Sequence, residues 1–314
     1  MIDFVWIVLG FVVLILGANY LVEGASGLAK RFNVPDLVIG LTIVSFGTSA
    51  PELIVNIIAA SNPNSTDLAL TNIIGSNMIN TFVILGLAAV IYPIASQKSS
   101  RRFDMPFNLL APILVFGLLW WMGGALQLVA GVVLLVFFAW FMAVVVRKSI
   151  QHPEELLDDE FKPVKVWLAL LMIAGGLAGL VGGANLIVPS ATSIAQAWGI
   201  SQSVIGLTIV ALGTSLPELA TSAVAAYKKN SDIALGNVLG SNIFNVFFVL
   251  GISSLLNPLP AYPNVYIDLA MVALAMIIVL VAVYTNKQHK INRLTGFVLL
   301  VTYIAYLSWV ISSQ

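Results

Sequence analysis

Two glutamates lie in the middle of long apolar stretches, and each follows a proline. Glu52 follows Pro51, and Glu218 follows Pro217. Proline has no N–H to donate within a helix, so the helix should kink or unwind there and leave carbonyl oxygens without partners. In hydrocarbon such carbonyls are tolerated only where they line a cavity or bind something. A hard cation such as Ca2+ or Na+ suits them, because Ca2+ takes about 6–8 oxygen ligands.

Hydroxyl and amide side chains surround both glutamates. Thr48 and Ser49 precede Glu52 by four and three residues, which on a continuous helix places both hydroxyls on the side of the carboxylate. Similar residues recur around Glu218, so each half of the chain offers side chains with oxygen donors. The predicted ion ligands are Thr48, Ser49, Glu52, Ser76 and Asn80 in the first half and Thr214, Ser215, Glu218, Ser241 and Asn245 in the second half.

Two carboxylates at mid-membrane depth require neutralisation. One glutamate at the bilayer centre costs about 2.5–3.5 kcal/mol on insertion scales. Apart from Lys165, at the very start of the sixth, no predicted span contains Lys, Arg or His. Either both carboxylates are protonated or a cation neutralises them. One Ca2+ or two Na+ would match the charge of two glutamates, and a third Na+ would leave the site positive. Alternative loading of one site is how an exchanger couples two ions.

The composition predicts an all-α integral membrane protein. Of the 314 residues, 60% are hydrophobic and 9% are charged, whereas soluble domains carry about 25% charged residues. A membrane-spanning helix needs roughly 20 mainly apolar residues. Ten segments meet that requirement, at 2–23, 37–60, 68–92, 104–122, 125–146, 163–187, 203–227, 233–256, 263–284 and 294–311.

The basic residues predict the orientation of these spans. All 14 Lys and Arg lie in odd-numbered connections between spans or, for Lys165, at the edge of the fifth connection. By the positive-inside rule these connections face the cytoplasm, and both termini face outward. The longest polar interval, about 147–165, includes the acidic stretch 154–160, which we interpret as a solvated loop.

The two halves of the chain repeat each other. The matched segments are 38–44 with 204–210 and 47–53 with 213–219 at an offset of 166 residues, and 75–80 with 240–245 at an offset of 165. Five spans in each half is an odd number, so the second half should enter the membrane upside down. Inverted repeats with broken helices are typical of secondary transporters. Duplication kept only for packing would preserve apolar residues, whereas the most faithful matches here are polar.

The predicted fold is therefore ten transmembrane helices in two inverted five-helix repeats, with helices 2 and 7 broken. The first repeat is 1–150 with its core at 37–92, a cytoplasmic linker occupies 151–162, and the second repeat is 163–314 with its core at 203–256.

Other polar residues in the spans have simpler interpretations. Asn77 and Asn242 either bind ions or form hydrogen bonds between helices. We expect Asn19 and Asn185 to tie helices together. Asp67 and Asp232 precede their helices and are predicted to be N-caps.

The motif Gly-Thr-Ser-x-Pro-Glu followed by Gly-Ser-Asn-x-x-Asn occurs twice, beginning at Gly47 and Gly75 and again at Gly213 and Gly240. It resembles the two alpha-repeats of the calcium/cation antiporter superfamily, specifically its sodium/calcium exchanger branch of the prokaryotic type. The resemblance covers essentially the whole chain. Proton/calcium exchangers of that superfamily usually carry Gly-Asn-x-x-Glu instead, so the Thr-Ser pairs favour sodium.

The resemblance implies a role for each predicted ligand. Glu52 and Glu218 would be shared by Ca2+ and Na+, and the two threonines would contribute to a central calcium site. The implied flanking sodium sites comprise Ser49 with Ser76 and Ser215 with Ser241, completed by the backbone carbonyls of Ser45 and Ala211. Asn80 and Asn245 would lie beside a fourth, internal site. Potassium-dependent relatives have Asp at the position of Asn245, so the asparagine suggests independence from potassium.

We therefore expect a secondary transporter of the cell membrane that moves Na+ inward and Ca2+ outward, three for one and hence electrogenically. Its partners would be these two ions, bound as transported substrates, and the lipid bilayer. We expect no cofactor, no nucleic acid and a functional monomer. Two alternatives stay open, a proton/cation exchanger of the same fold and a passive cation channel. An intramembrane protease would need His, a catalytic Asp pair or Ser with His, which no span offers.

Overall fold

The computed structural model describes residues 2–63, 65–151, 164–198 and 211–312. Helices dominate these ranges. They are α1 Ile2–Phe32, α2 Asp36–Thr48, α3 Ala50–Ser61, α4 Thr66–Ile91, α5 Ser100–Trp121, α6 Leu128–Gln151, α7 Val166–Ala197, α8 Ala211–Thr214, α9 Leu216–Tyr227, α10 Ser231–Leu256, α11 Val265–Thr285 and α12 Arg293–Ser312.

Within the described residues, eight helices are long and apolar enough to cross a membrane. α2 and α3, which are bent by 49° where they meet, pass the same test together and are a ninth candidate if the pair is one broken span. The predicted seventh span is seen only as α8 and α9, because 203–210 lies outside the described residues. The repeat segment 204–210, the acidic stretch 154–160 and most of the proposed linker 151–162 also lie outside them.

Two helices are longer than the sequence predicted. α1 continues to Phe32 instead of ending near residue 23, and α7 continues to Ala197 instead of 187. At 1.5 Å per residue, helices of 31 and 32 residues are about 46–48 Å long, more than the roughly 30 Å hydrocarbon core. Span prediction measures the apolar stretch, so it misses turns that continue past the hydrocarbon.

α1 and α7 pack against each other along a stripe of small residues. A Cβ added at Gly17 would lie 2.8 Å from the carbonyl oxygen of Gly176, and one at Gly10 would lie 2.9 Å from that of Gly183. Glycine at these positions lets the two backbones approach closely, which is how helices associate in lipid without a hydrophobic driving force. The first spans of the two predicted repeats are thus in direct contact.

α4 and α10 are the most deeply buried of the candidate spans in the described chain. Two short antiparallel ladders join connections from the two halves of the chain. β1 Ile94–Ala95 pairs with β4 Lys290–Ile291, and β2 Ala125–Leu126 pairs with β3 Leu259–Pro260. The third and ninth connections therefore lie on one side of the helices, because β1 and β4 belong to them, and the fourth and eighth connections also share a side.

The predicted N-caps are wrong. The residue that caps α4 is Ser65, and the one that caps α10 is Asn230, whose side chain accepts a hydrogen bond from the backbone N–H of Ile233 at 2.9 Å. Asp67 and Asp232 instead lie in the first turns of these helices. Carboxylates in a first turn interact favourably with the positive end of the helix dipole, which accounts for their position.

Candidate ion-binding site

Both spans that carry a Pro-Glu pair break at a serine just ahead of the proline. Ser49 separates α2 from α3 with φ −88° and ψ 8°, and Ser215 separates α8 from α9 with φ −90° and ψ 5°. Pro51 and Pro217 then lie in the first turn of the next helix. The missing N–H costs little in that turn because it has no partner inside the helix. The structure confirms the break that the sequence predicted in span 2.

The break changes which carboxylate the serine contacts. Spacing on a continuous helix placed Ser49 beside Glu52, but the Ser49 hydroxyl donates to Oε1 of Glu218 at 2.8 Å. The hydroxyl of Ser241 lies 3.5 Å from the same oxygen. The expectation for Ser49 is therefore wrong, because residue spacing does not carry across a break in the helix. The hydroxyl from one half of the chain instead binds the carboxylate of the other half.

Thr48 is held between the two halves by an asparagine that the sequence analysis did not select. The Thr48 hydroxyl lies 3.0 Å from Oδ1 of Asn237. The amide of Asn237 donates to the hydroxyl of Ser222 at 2.9 Å and to the backbone carbonyl of Glu218 at 3.2 Å. Asn237 thus connects both broken spans. Its recurrence as Asn72 in the internal repeat was the signal that could have identified it.

Most of the unpaired buried polar atoms belong to predicted ligands. Glu52 and Glu218 are each only 1% exposed. Among the described residues, ten buried side-chain oxygen or nitrogen atoms have no hydrogen-bond partner in the protein, and six belong to predicted ligands. These six are Oε1 and Oε2 of Glu52, Oε2 of Glu218, Oγ of Ser215, and Oδ1 of Asn80 and Asn245. An unsatisfied buried polar group costs about 1–3 kcal/mol, so their concentration requires an explanation.

A chain of asparagines ties the two buried helices α4 and α10 together. The amide of Asn77 donates to the backbone carbonyl of Asn242 at 3.1 Å, and the amide of Asn242 donates to the hydroxyl of Thr81 at 2.9 Å. The amide of Asn245 donates to Oδ1 of Asn77 at 3.2 Å. Asn77 and Asn242 therefore form bonds between helices, which was one of the two interpretations left open for them. The bond from Asn245 leaves its own amide oxygen free of partners.

Asn80 and Asn245 also share a local backbone feature. Each lies in a π-helical segment, Ile79–Ile84 in α4 and Phe244–Val249 in α10. A third such segment, Gly40–Val44, immediately precedes Ser45. Wider helical turns of this kind are common at functional sites because they interrupt the regular hydrogen-bond ladder.

For the remaining predicted ligands the structure shows burial or backbone position but few side-chain contacts. Ser76 is buried at 3% exposure on α4. The carbonyl oxygen of Ser45 accepts from the N–H of Ser49 at 3.0 Å, and the hydroxyl of Thr48 lies 3.3 Å from it. Ala211 begins α8, and Thr214 ends it.

This region carries negative charge, and its potential ligands are hard oxygen atoms. The carboxylates of Glu52 and Glu218 are close enough to interact electrostatically, and their neighbours supply hydroxyl and amide oxygens. The described residues contain no cluster of three or more His, Cys, Asp or Glu able to hold a metal ion. The donor set is two carboxylates with neutral oxygens, which suits Na+ or Ca2+ better than softer metals. A cation between the glutamates would satisfy oxygens that the protein leaves unpaired.

Known proteins resemble this chain over nearly its full length. The profile of the family described as "Sodium/calcium exchanger protein" matches residues 2–147 and 168–312. The putative antiporter CaxA of Alkalimonas amylolytica is 35% identical over 311 residues, which cover 96% of each chain. The sodium/calcium exchanger MaX1 of Methanosarcina acetivorans is 31% identical, with 98% of this chain and 97% of MaX1 covered.

The fold agrees with that of a solved exchanger. The structure of the sodium-calcium exchanger NCX_Mj, soaked with 2.5 mM Na+ and 0.1 mM Ca2+, superposes with a TM-score of 0.83 at 32% identity, and 98% of each chain is covered. These matches identify a transporter and not an enzyme. The chain is a multi-pass membrane protein that belongs to the sodium/calcium exchanger family, in its prokaryotic branch.

Proposed function

We propose that this protein exchanges Na+, moving inward, for Ca2+, moving outward, across the cell membrane at three to one. The observation that carries the proposal is the set of six unpaired buried oxygens, which come from predicted ligands in both halves of the chain. Buried oxygens that lack hydrogen bonds within the protein are the expected form of a site that receives cations. The names of MaX1 and NCX_Mj, both sodium/calcium exchangers, support the choice of ions.

In this proposal Glu52 and Glu218 are the ligands that Ca2+ and Na+ share. Thr48 and Thr214 contribute to the central calcium position. The flanking sodium positions use the hydroxyls of Ser49, Ser76, Ser215 and Ser241 and the carbonyls of Ser45 and Ala211, and Asn80 and Asn245 lie beside the internal position.

The hydrogen bonds that the structure shows are compatible with these roles. The Ser49 hydroxyl can keep its bond to Glu218 while its lone pairs face a cation, because a hydroxyl is both donor and acceptor. The carbonyl of Ser45 would have to exchange the nearby Thr48 hydroxyl for the ion.

The proposed architecture is ten transmembrane helices in two inverted repeats. Equivalent breaks at Ser49 and Ser215 support it, as do the equivalent π-helical segments at Asn80 and Asn245. Equivalent hydrogen bonds support it as well. The amide of Asn72 donates to Asn56 at 2.8 Å, and that of Asn237 donates to Ser222 at 2.9 Å, at positions related by the repeat.

The proposed orientation has both termini outside. The paired strands β1 and β4 place the third and ninth connections on one side of the protein. Those two connections carry six basic residues, and the fourth and eighth connections, which are joined by β2 and β3, carry none. The positive-inside rule then assigns the side of β1 and β4 to the cytoplasm.

The proposed stoichiometry of three to one has a consequence for charge movement. Two ionised glutamates are neutralised by one Ca2+, whereas three Na+ leave the site with one positive charge. Each cycle would therefore move one net charge, and its free energy would change by about 2.3 kcal/mol per 100 mV of membrane potential. Exchange should consequently speed up or slow down when the membrane potential is changed at constant ion gradients.

A proton/cation exchanger of the same fold is the second candidate. Both carboxylate oxygens of Glu52 lack hydrogen-bond partners, so this group could take up a proton without breaking a bond. The Thr-Ser pairs at 48–49 and 214–215 favour sodium over this alternative.

The test is a flux assay with purified protein in liposomes. With Na+ inside, we expect Ca2+ uptake to begin when external Na+ is removed. Uptake driven equally well by a proton gradient without Na+ would support the second candidate. Ca2+ uptake that needs no ion on the opposite side would instead identify a passive channel.

A further inference from the structure

Hydrogen-bond partners fix the orientation of the Asn77 side chain on α4. Its amide lies 3.1 Å from the backbone carbonyl oxygen of Asn242. A carbonyl can only accept a hydrogen bond, so the side-chain nitrogen of Asn77 must face it. The side-chain oxygen of Asn77 then faces the amide of Asn245, 3.2 Å away. A backbone group therefore determines which end of Asn77 is turned toward Asn245.

Asn77 in turn fixes the orientation of Asn245. An amide oxygen can only accept, so the nitrogen of Asn245 must face Asn77 and its oxygen must point away from Asn77. That oxygen is buried and has no hydrogen-bond partner among the described residues. Asn245 lies one turn beyond Ser241 on α10, and the Ser241 hydroxyl is 3.5 Å from the carboxylate of Glu218. This places the unpaired oxygen at the edge of the candidate ion-binding site.

The orientation of the Asn245 amide decides whether it attracts or repels a cation. An amide oxygen accepts and can be a ligand for a hard cation, whereas the NH2 group is a donor with no acceptor capacity. The two ends of the amide are nearly equal in size, so shape alone separates them weakly. A carboxylate needs no such control, because it presents an oxygen at both ends. An asparagine at this position requires a neighbour that distinguishes oxygen from nitrogen.

The repeat-equivalent pair, Asn242 and Asn80, lacks the corresponding bond. The side-chain oxygen of Asn242 has no partner in the described chain, so it does not hold the amide of Asn80. The nitrogen of Asn242 donates to the hydroxyl of Thr81 at 2.9 Å and lies 3.4 Å from Oδ1 of Asn108. The repeat equivalent of Thr81 is Val246, which has no hydroxyl. The two asparagine pairs therefore differ for a reason that the sequence contains.

We propose that Asn77 is a positioning residue for ion binding, which holds Asn245 with its side-chain oxygen toward the site. Asn77 does not bind the ion, because its oxygen and its amide are engaged by Asn245 and by the carbonyl of Asn242. Held in this way, Asn245 contributes an oxygen without adding a third negative charge to those of Glu52 and Glu218. The inference rests on the proposed function, in which Asn245 lies beside an ion position, and adds the residue that orients it.

Na+ binding by two matched variants tests this role. Asn77→Leu is compared with Asn242→Leu, because both asparagines are buried and occupy equivalent positions in the repeat. Asn242→Leu also removes hydrogen bonds between helices, but it leaves in place the backbone carbonyl to which Asn77 donates. The melting temperature of purified protein in micelles is measured during a Na+ titration, with a Ca2+ chelator present. A purely structural role would lower the starting melting temperature without changing the half-saturating Na+ concentration.

The expected results for the two variants differ. Asn77→Leu should raise the half-saturating Na+ concentration about fivefold, a loss comparable to that of one uncharged hydrogen bond. Asn242→Leu should change it by less than about twofold. Equal half-saturating concentrations for the two variants would overturn the positioning role. If either leucine variant does not fold, Asn77→Ala and Asn242→Ala give the same comparison.

Combination with Asn245→Asp provides the second measurement. A carboxyl group presents oxygen at both ends, so Asn77→Leu added to Asn245→Asp should change the half-saturating Na+ concentration by less than about twofold. If the full effect of Asn77→Leu persists in the presence of Asn245→Asp, Asn77 does not act through the orientation of Asn245, and the proposal is wrong.

Transport separates this inference from the proposed function. If the unmodified protein shows no Na+-dependent Ca2+ uptake in liposomes, the proposed function fails, whatever the asparagine variants show. If the unmodified protein shows this uptake and Asn77→Leu binds Na+ as Asn242→Leu does, the positioning role alone fails.

Discussion

Removal of two repeat-equivalent hydroxyls should change ion-free stability in different directions. Ser49 donates to Oε1 of Glu218 at 2.8 Å, whereas the buried hydroxyl oxygen of Ser215 has no partner. Ser49→Ala leaves that carboxylate oxygen with only the hydroxyl of Ser241, 3.5 Å away. Ser215→Ala instead removes an unsatisfied polar atom.

The expected magnitudes follow from these contacts. Without a cation the two buried carboxyls should be protonated, and a hydrogen bond between uncharged groups contributes about 0.5–1.5 kcal/mol. Ser49→Ala should therefore lower the free energy of unfolding of the ion-free protein by about 1 kcal/mol. A buried group without a partner is unfavourable, so Ser215→Ala should leave that free energy unchanged or raise it by up to about 1 kcal/mol. The two variants have the same change in composition, which makes each the control for the other.

The assay is unfolding of purified protein in mixed micelles, with a chelator present and without Na+, followed by the same titration in Na+. In Na+ both variants should gain less stability than the unmodified protein, because each has lost a proposed sodium ligand and bound ions stabilise the folded state by mass action. Equal destabilisation of the two variants without ions would refute the asymmetric hydrogen bonding on which this reasoning depends.

Four further substitutions, one of them with a matched control, test other parts of the account. Glu52→Gln and Glu218→Gln should each abolish Na+-dependent Ca2+ uptake in liposomes while the protein still folds, because each removes the charge of a shared ligand. Retained uptake in either variant would contradict that role. Gly176→Ala should destabilise the protein in the same unfolding assay, because its Cβ would lie 2.7 Å from the backbone of α1, whereas the adjacent Gly175→Ala meets nothing within 4 Å and should be neutral. Asn237→Ala removes hydrogen bonds to both interrupted spans, so it should lower the free energy of unfolding by about 1–3 kcal/mol and raise the Ca2+ concentration needed for half-maximal uptake. If neither quantity changes, these hydrogen bonds are unimportant.

Much of the general organisation could be predicted from sequence. Hydropathy located the candidate spans in the described ranges, because a helix in lipid must be apolar for about 20 residues. The proline before Glu52 predicted the break in span 2, since proline cannot continue the helical ladder. The predicted ligands account for most of the unpaired buried oxygens in the described chain. The repetition of polar motifs was the most informative signal.

The finer geometry could not be predicted, and the reasons are physical. Spacing rules place Ser49 beside Glu52 only if the helix is continuous, and the break at Ser49 turns its hydroxyl toward Glu218. Hydropathy also could not show that α1 continues to Phe32, because its last turns lie beyond the apolar stretch. Equivalent residues such as Val22 and Val188 have the same side chain but different burial. Such asymmetry arises from the packing of whole helices, which a repeated sequence does not encode locally.

The most direct test of the central claim is to count both ions in one experiment. Liposomes that contain the purified protein are loaded with radioactive Na+ and placed in radioactive Ca2+, with the membrane potential set by a potassium gradient and valinomycin. The account predicts that three Na+ leave for each Ca2+ that enters, and that the exchange rate changes with membrane potential. Ca2+ entry that is independent of Na+ exit, or a rate that does not respond to the membrane potential, would contradict electrogenic sodium/calcium exchange.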